Sequence, residues 1–409
     1  MRVLLSEGSS TSAREAISVL GLAGHRVEIC DPDPRCLGRF SRFVRRFHRC
    51  PGVSNDPRGY LAFMEALLLR EQFDVLIPIH EQGLLFAAAP GRWSALTQIA
   101  LPSFASYRTA HSKSRFSRLL DELGLPQPPT RFLRSAQELH RLAVYPCVIK
   151  TAIGTASRGT WIVRNPEDLA VAIADLTADR AMAHDDELLL QDHVAGTAEH
   201  AQAVFSTGKF VAMHAYRQIM PGAGGGDAVK ESVDRGEVRA HVARLGEWLA
   251  WHGALSVDYI WREGGAGPQY IDCNPRLVEP MSAYLAGLDL VELLLQISSG
   301  KCPAAAARSE AGVRTHLGMQ SLLGCGLRGG TRRELLGELR RLLAGTGFYA
   351  NSSEELTPVR LDWVSAVPLM LIALILLVRP RWARALPRRF GTHVLSSRSV
   401  RLIEQEVAA

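Results

Sequence analysis

At 409 residues, with 47% apolar and 22% charged side chains, the chain is long enough for two or three globular domains with buried cores. Its net charge of +6 is concentrated in residues 379–409, which contain seven arginines and two glutamates. A nucleic-acid-binding protein carries interleaved basic and aromatic side chains over a folded face. Only residues 35–49 approach that pattern. We interpret them as a solvated basic face, with an anion or substrate-carboxylate site as the alternative, and expect no nucleic-acid partner.

The first hundred residues predict a parallel α/β domain. Residues 1–34 read as a strand, a polar turn, an amphipathic helix that ends at Gly24, and a second strand. A second helix and strand follow, and Glu81 lies just past the carboxyl end of strand 74–79, where open α/β sheets bind ligands. The segment lacks G-x-G-x-x-G, so it does not predict a dinucleotide site.

The start is too polar for a signal peptide and the cysteine spacing favours reduced thiols, so we expect a cytoplasmic protein.

From about residue 106 to 305 the pattern changes to α+β in two lobes. A strand, a small-residue loop and another strand ("YPCVIK", "TAIGTASRGT", "WIVR") begin a lid over about residues 130–195. Two long strands, a glycine-rich loop and a helix follow. The strands "ALSVDYIWRE" and "PQYIDCNPR" close this region.

Residues 306–409 predict helices. Thr331 and Glu334 form a capping box for a helix that ends at Gly345. The uncharged segment 363–378 would make about 24 Å of helix, whereas a bilayer span takes about 20 residues. The arginines that follow it favour the cytosolic side. We expect a hydrophobic helical tail that lies in the membrane interface or packs on the protein, and a full span is the least favoured alternative.

Polar side chains end two successive strands. Asp258 closes "LSVDY", and Asp272 and Asn274 close "YIDCNPR". If the strands pair, two carboxylates and an amide oxygen meet, and with phosphates and water such a set suits Mg²⁺. Arg276 would face the same cavity because strand side chains repeat every two residues. The alternative is a strand-end Asp that forms a turn with Pro275.

Lysine is rare, with five among 47 basic residues, so each lysine is a candidate for a specific role. Lys150 ends a strand and opens "TAIGTASRGT", where Gly154 and Gly159 let backbone N–H groups approach an anion. The loop is not a Walker motif, since it lacks G-K-[ST], and an ordinary hairpin with a lone lysine is the alternative. The strand "ELLLQDHVAG" suits a hinge whose backbone pairs with adenine while Gln191 and Asp192 flank it.

In order and spacing these motifs resemble the ATP-grasp superfamily over about residues 106–300, above all its carbamoyl-phosphate-synthase and biotin-carboxylase-like branch. The specific matches are Lys150 with its glycine flap and "IDCNPR" against the family's E-x-N-P-R. "HSKSRF", "LLQDHVAG" and "SVDY" support them. The implied fold is α/β and α+β, with these parts: a Rossmann-like parallel-sheet domain over 1–105, a two-lobed ATP-grasp domain over 106–305, and a C-terminal region over 306–409 with the apolar segment and basic tail.

The resemblance also implies ATP and Mg²⁺ (or Mn²⁺) as cofactors and a role for each matched residue. The ATP phosphates would be held by Lys113, Lys150, Gly154 and Gly159. The adenine would be lined by Gln191, Asp192 and Val194, and the ribose would be contacted by Glu199. The metal would be bound by Asp258, Asp272 and Asn274, and the substrate or transferring phosphoryl group would be contacted by Arg276, Arg217 and Lys230. The chain departs from the family in two places. Both metal acids are Asp where the family often has Glu, and the hinge pair Gln-Asp replaces a more basic or acidic pair.

The resemblance predicts an ATP-dependent ligase that activates a carboxylate as an acyl-phosphate and joins it to an amine or a similar nucleophile. One alternative is ATP-driven carboxylation or carbamoylation through carboxyphosphate. Another is an ATP-binding module without catalysis that associates with a membrane. The expected partners are small-molecule carboxylates and amines. Residues 363–389 also allow peripheral contact at the inner face of a membrane.

Overall fold

The computed structural model of the chain describes residues 1–154, 159–178, 187–264, 267–301, 303, 308–356, 360–384, 395 and 397–408. Strands in these residues form three sheets. The strands are β1 Arg2–Leu5, β2 Arg26–Asp31, β3 Val44–Arg49, β4 Val75–Ile77, β5 Thr130–Leu133, β6 Cys147–Thr151, β7 Thr160–Val163, β8 Leu188–Asp192, β9 Thr197–Ser206, β10 Lys209–Pro221, β11 Asp227–Val233, β12 Gly253–Arg262, β13 Gly267–Asn274, β14 Arg314–His316 and β15 Ser352–Glu354.

Helices in the same residues cover and connect the sheets. They are α1 Thr11–Leu22, α2 Pro57–Glu71, α3 Gly83–Ala88, α4 Pro90–Ser94, α5 Phe104–His111, α6 Lys113–Glu122, α7 Ala136–Leu142, α8 Pro166–Ala178, α9 Gly236–Trp248, α10 Met281–Leu285, α11 Leu290–Ser298, α12 Gly318–Leu327, α13 Arg332–Ala344, α14 Ala366–Val378 and α15 Ser397–Ala408.

The N-terminal sheet is parallel and has the order β3-β2-β1-β4. The predicted β-α-β opening is confirmed, because β1 and β2 pair in parallel on either side of α1. The Ser10 hydroxyl caps α1 by accepting a hydrogen bond from the Ala13 N–H at 3.0 Å. Apolar residues such as Val3, Ile17 and Ile29 are fully buried between the sheet and its helices.

The small sheet, β5-β8-β6-β7, is antiparallel and is covered by α7 and α8. Its core contains Leu139, Ile149 and Val163, each fully buried. The strands predicted at "YPCVIK" and "WIVR" are confirmed as β6 and β7, which pair as neighbours. The loop between them contains residues 155–158, which lie outside the described residues.

The large sheet has the order β13-β12-β9-β10-β11-β14-β15. One face is covered by α9, whose Val238, Val242 and Leu245 are buried. Part of the other face packs against α11, and Val204 and Ala254 belong to the core that this helix shares with the N-terminal sheet. The remaining part of that second face carries polar side chains and forms the candidate site.

Residues 308–384 extend the large sheet with β14 and β15 and form a helical layer of α12, α13 and α14. The capping box of Thr331 and Glu334 and the end of α13 at Gly345 are confirmed. The predicted hydrophobic tail is not supported as a separate element, because Ile372 and Leu376 of α14 are buried against this layer.

The opposite side of α14 is exposed, with Met370 and Leu374 at 67% and 60% of their full accessibility. Within the described part of the chain, no helix combines the length and apolar character needed to cross a bilayer. The membrane contact predicted through residues 363–389 stays a prediction, and residues 385–389 lie outside the described residues.

A buried ion pair ties the C-terminal region to the N-terminal sheet. The Arg14 guanidinium on α1 donates to an Asp362 carboxylate oxygen at 2.9 Å, and both side chains are at most 1% exposed. The Ser41 hydroxyl and the Arg42 N–H also donate to this carboxylate. Asp362 therefore satisfies donors from two separate segments of the N-terminal domain.

We expect Asp362→Ala to lower the free energy of unfolding by about 3–5 kcal/mol, because it leaves the buried Arg14 charge without its partner. Urea unfolding followed by circular dichroism measures the change. Glu65→Ala is the matched control, since it removes an acid from an exposed pair with Arg92 and should leave the free energy of unfolding unchanged within error. A loss below about 1 kcal/mol for Asp362→Ala would contradict the expectation.

Candidate functional site

The β12–β13 hairpin places two carboxylates side by side on the large sheet. Asp258 is the register partner of Asp272, and Ser256 is the partner of Asn274. The predicted pairing of the two strands is therefore confirmed. The register shifts between Asp258 and Tyr259, so that the next pair is Tyr259 with Tyr270 and Ile271 has no partner in the register. Such a shift is a β-bulge.

The bulge determines which side chains face the candidate site. In a regular strand, Tyr270 and Asp272 would point to the same face because they are two residues apart. Here Tyr270 contacts Tyr259 and His241 on the side covered by α9, with ring centroids 5.7 and 5.8 Å apart. The extra residue, Ile271, directs Asp272 to the other face, beside Asp258.

Both lysines predicted at the phosphates reach this edge of the sheet. The Lys113 ammonium, at the start of α6, donates to Asp272 Oδ2 at 2.6 Å and to the Gly154 carbonyl at 2.9 Å. The Lys150 ammonium, on β6 of the small sheet, donates to the Ile271 carbonyl at 2.6 Å. The bulge thus provides the acceptor for the second lysine.

Lys150 is almost completely buried, and its surroundings affect its charge. Burial lowers the pKa of Lys150 to about 8, although the carboxylate of Asp272 opposes this shift. That value already includes the lowering effect of the nearby Lys113 charge and the opposing effect of the Asp258 carboxylate. The ammonium would therefore gain from an additional anion between the two sheets.

His200, on β9, joins the two strands that carry acids in this region. Its Nδ1 is 2.8 Å from Asp258 Oδ1, and its Nε2 is 3.4 Å from Asp227 Oδ2 on β11. Burial lowers the pKa of His200, but the charges of Asp227 and Asp258 outweigh burial and raise the pKa to about 9. Burial also raises the pKa of Asp258, and the His200 charge more than reverses that shift. His200 and Asp258 therefore form a charged pair at neutral pH.

Asn274 and Arg276 continue the same edge after the bulge. The Asn274 amide donates to Asp258 Oδ2 at 3.3 Å. The Arg276 guanidinium lies 3.5 Å from both Asn274 Oδ1 and the Ser12 hydroxyl of α1. Arg276 therefore lies at the boundary between the N-terminal domain and the large sheet. Both contacts are long, and Arg276 has no close ionic partner among the described residues.

The residues predicted at adenine lie on the small sheet and just beyond it. Gln191 is buried and donates to the Thr130 hydroxyl at 2.9 Å, whereas Asp192 is exposed and Val194 is half-buried. The Asp192 N–H donates to the Pro129 carbonyl at 3.0 Å. Gln191 pairs with Val148, two positions before Lys150 on β6, so these residues lie along the same strand pair as the lysine.

The two flap glycines flank the part of the loop that lies outside the described residues. The Thr151 N–H donates to the Gly159 carbonyl at 2.8 Å and holds the two ends of the flap together. Gly159 has φ of +73°, and a Cβ there would lie 2.1 Å from the Thr151 hydroxyl. Gly154 accepts the hydrogen bond from Lys113.

Glu199 and Arg217 lie on the opposite face of the large sheet. Glu199 is the register partner of Tyr259 and Arg217, which places it on the α9 side. Its buried carboxylate accepts hydrogen bonds from Arg235 at 2.9 Å and from the Tyr259 hydroxyl at 3.0 Å. Arg217 pairs with Glu231 on that side. The structure does not bring these two predicted residues to the Asp258–Asp272 edge.

Lys230 is fully buried among acids on the face of the large sheet that carries His200, and both residues contact the Tyr216 ring. Its ammonium pairs with Glu279 and lies 2.8 Å from Glu355 Oε2, and it contacts the face of the Tyr216 ring at 4.7 Å. Burial lowers the pKa of Lys230, but Glu279 and Glu355 outweigh burial and raise it. Burial raises the pKa of Glu355 to about 7. These acids satisfy the charge of Lys230 within the protein.

The chain is similar to known proteins in the region that carries these residues. The profile of the ATP-grasp domain family matches residues 110–280. This range contains both lysines and the bulged hairpin. Residues 110–280 form an ATP-grasp domain.

The carbamoyl phosphate synthase large chain of Ralstonia nicotianae is 26% identical over 210 residues, which is 47% of this chain and 19% of that relative. The chain therefore spans about a fifth of the length of the curated relative it matches. The biotin carboxylase domain of Hydrogenobacter thermophilus 2-oxoglutarate carboxylase, solved with MgADP and bicarbonate, superposes with a TM-score of 0.59 at 17% identity over 76% of this chain and 73% of that chain. An L-amino acid ligase from Bacillus licheniformis gives 0.59 at 15% identity over 78% and 80%. At these identities the structures support the fold alone.

The ATP-grasp domain offers oxygen ligands that suit Mg²⁺ only together with a phosphate. In the described part of the chain, no group of three or more His, Cys, Asp or Glu side chains lies close enough to hold a metal ion. Mg²⁺ commonly needs only one or two carboxylates, because phosphate oxygens and water complete its shell. Asp258 and Asp272, with the Asn274 amide oxygen, match that requirement in number and type.

The sequence predictions missed His200 and Asp227, which lie on the same face of the ATP-grasp sheet as Asp258. The alternation of side chains along each strand is the pattern that could have indicated His200. Once Asp258 is assigned to the site face, its register partner on the neighbouring strand must share that face, and this partner is His200, not Glu199. The register of β12 with β9, which is regular, was not visible in the sequence.

The pKa of His200 predicts a pH-dependent stability of the ATP-grasp domain. Its folded pKa of about 9 exceeds the ordinary value of about 6.5, so its stabilising contribution is complete below about pH 6.5 and is lost as the pH rises through about 9. Urea unfolding of the wild type and His200→Gln between pH 6 and 10 should show a difference in unfolding free energy that shrinks with increasing pH. A difference that stays constant over this range would show that His200 does not hold its charge.

Proposed function

We propose that the protein is an ATP-dependent ligase that activates a carboxylate as an acyl-phosphate and joins it to an amine or a similar nucleophile. One observation carries the proposal. Lys113 and Lys150, from two separate segments, converge on the bulged edge of β13 beside the paired carboxylates Asp258 and Asp272. The two cations suit phosphates, and the two acids suit a divalent metal.

The lysines would hold the phosphates and neutralise charge as the phosphoryl group leaves. In this structure both ammonium groups use acceptors on β13, and a triphosphate entering between the sheets would replace or share those acceptors. Positioning and charge stabilisation supply most of the rate enhancement in phosphoryl transfer. The backbone of residues 191–194 would line the adenine, at the other end of the strand pair from the flap.

Mg²⁺ bound by Asp258, Asp272 and Asn274 would neutralise phosphate charge and orient the phosphates. His200 would hold Asp258 in its charged, oriented form through the 2.8 Å contact. Arg276 would stabilise negative charge on the acyl-phosphate, because it has no close carboxylate partner among the described residues and lies two positions beyond Asn274. The flap between Gly154 and Gly159 would exclude water from the reactive intermediate.

A second candidate is activation of bicarbonate as carboxyphosphate, followed by transfer of the carboxyl group or by amination. The observation that favours it is the match to a carbamoyl phosphate synthase large chain and the structural likeness to a biotin carboxylase domain. The L-amino acid ligase with a similar fold supports the first candidate. A nucleotide-binding module without turnover would also be compatible with the fold.

The lysine and carboxylate assignment predicts that Lys150→Ala and Asp272→Ala each reduce substrate-dependent ADP formation at least about 100-fold, since each removes charge stabilisation from the phosphoryl transfer step. A coupled ADP assay measures the rates. Lys209→Ala, at an exposed lysine on β10, is the matched control and should keep the wild-type rate. Wild-type-like ADP release from either site variant would refute the assignment.

The ligase proposal predicts that ADP formation depends on a carboxylate substrate together with an amine. We expect a panel of amino acids and hydroxy acids to contain a pair that stimulates ADP release and gives a condensed product by mass spectrometry. Stimulation by bicarbonate alone would favour the carboxyphosphate route instead. ATP binding by calorimetry without turnover on any substrate would favour a non-catalytic module.

A further inference from the structure

A cavity of about 620 Å³ lies outside the lysine and carboxylate site, between α6, α15 and one end of the small sheet. Ser112 and Ser114 contribute to its wall, whereas the side chain of Lys113 between them points the other way, to Asp272. The C-terminal helix α15 contributes Val400 to the wall. Ligand pockets typically have volumes of about 300–1,000 Å³, so the cavity is of a size that holds a small molecule.

The described lining of this cavity is strongly basic. It contains five arginines and two glutamates: Arg108, Arg115, Arg118, Arg134, Arg401, Glu187 and Glu404. Both acids are already engaged. Glu187 accepts two hydrogen bonds from Arg118 at 2.7 and 2.8 Å, and Glu404 lies 2.6 Å from Arg108. The described part of the lining therefore carries an excess of positive charge.

Arg115 and Arg134 carry that excess most directly. Neither has a carboxylate within ion-pair distance among the described residues, and both line the cavity. Burial lowers the pKa of Arg115, and the neighbouring charge of Arg108 lowers it further. Arg115 and Arg134 are both exposed at the cavity, and an anion bound there would relieve the repulsion between Arg115 and Arg108.

The two arginines belong to different parts of the fold. Arg115 is on α6, next to the N-terminal domain, and Arg134 directly follows β5 of the small sheet. Ala152 and Ile153, at the start of the flap, also line the cavity. The Arg118–Glu187 pair already joins α6 to the small sheet at this point. An anion between Arg115 and Arg134 would add a second link between the same two parts.

We propose that this cavity is a binding site for a small polyanion, a molecule with phosphate or several carboxylate groups, that joins α6 to the small sheet. Guanidinium groups bind such oxygens with paired, charge-assisted hydrogen bonds. The Ser112 and Ser114 hydroxyls add neutral donors. The site is separate from the proposed nucleotide site, and the proposal does not depend on ligase activity.

Isothermal titration of the full chain with pyrophosphate and with citrate, at low salt and without Mg²⁺, tests the site. We expect at least one of the two probes to bind, and its affinity to fall as NaCl is added because the contacts are ionic. Binding of both probes would indicate recognition of clustered negative oxygens in general. Binding of one alone would assign the site to phosphate or to carboxylate groups.

The double variant Arg115→Gln/Arg134→Gln should weaken probe binding about tenfold or more, since it removes two charged donors. Arg131→Gln, an exposed arginine on β5, is the matched control and should bind like the wild type. Lys150→Ala should also keep the affinity, because this lysine belongs to the other site. Circular dichroism melting confirms that each variant is folded.

Three outcomes would overturn the proposal. The wild type could fail to bind either probe at millimolar concentration. Binding could be lost in Lys150→Ala and kept in the double variant, which would place the anion at the proposed nucleotide site. Arg131→Gln could weaken binding as much as the double variant, which would indicate a diffuse electrostatic effect. Each result is independent of whether the protein turns over ATP.

Discussion

The candidate site depends on one irregularity in the large sheet, the extra residue at Ile271. Without it, Asp272 would share a face with Tyr270, which is packed against Tyr259 under α9. With it, Asp272 joins Asp258 on the open face, and the Ile271 carbonyl becomes the acceptor for Lys150. The single inserted residue thus allows Tyr270 to pack under α9 while Asp272 pairs with Asp258 opposite a lysine. Bulges are frequent beside active sites for this reason.

The charges around the bulge are largely paired within the protein. Lys113 is paired with Asp272, and His200 lies between Asp227 and Asp258, so each buried charge has a partner of opposite sign. Lys150 is the exception, since its acceptor is a neutral carbonyl, and burial lowers its pKa to about 8. One positive charge without a carboxylate partner is a small imbalance that the fold can tolerate. The negative charge of an incoming phosphate would balance it. Lys150 is therefore the cation of this site that an incoming phosphate would pair with.

Much of this arrangement could be predicted from the sequence, because the informative signals were local. The β-α-β opening, the capping box of α13 and the pairing of β12 with β13 follow from periodicity and turn residues within short segments. Which face a strand residue occupies is a different question, because it depends on the register with a distant neighbour. That is why the prediction named Glu199 as the ribose contact but did not find His200, its neighbour, which occupies the face of Asp258 in the structure. The fully buried position of Lys230 also depends on partners from other segments, such as Glu355, that no local pattern indicates.

Those distant partners show that the last hundred residues are part of the domain architecture and not an appendage. β14 and β15 continue the large sheet, and Glu355, directly after β15, completes the pair with Lys230. Asp362 binds Arg14 of the first helix, and the Leu395 N–H donates to Glu81, the acid at the carboxyl end of β4, at 2.6 Å. Because a buried charge without its partner costs several kcal/mol, each contact makes the folding of the N-terminal and central parts depend on the C-terminal segment. The same segment also forms one wall of the basic cavity through α15, so the cavity combines side chains of the central and C-terminal parts of the chain.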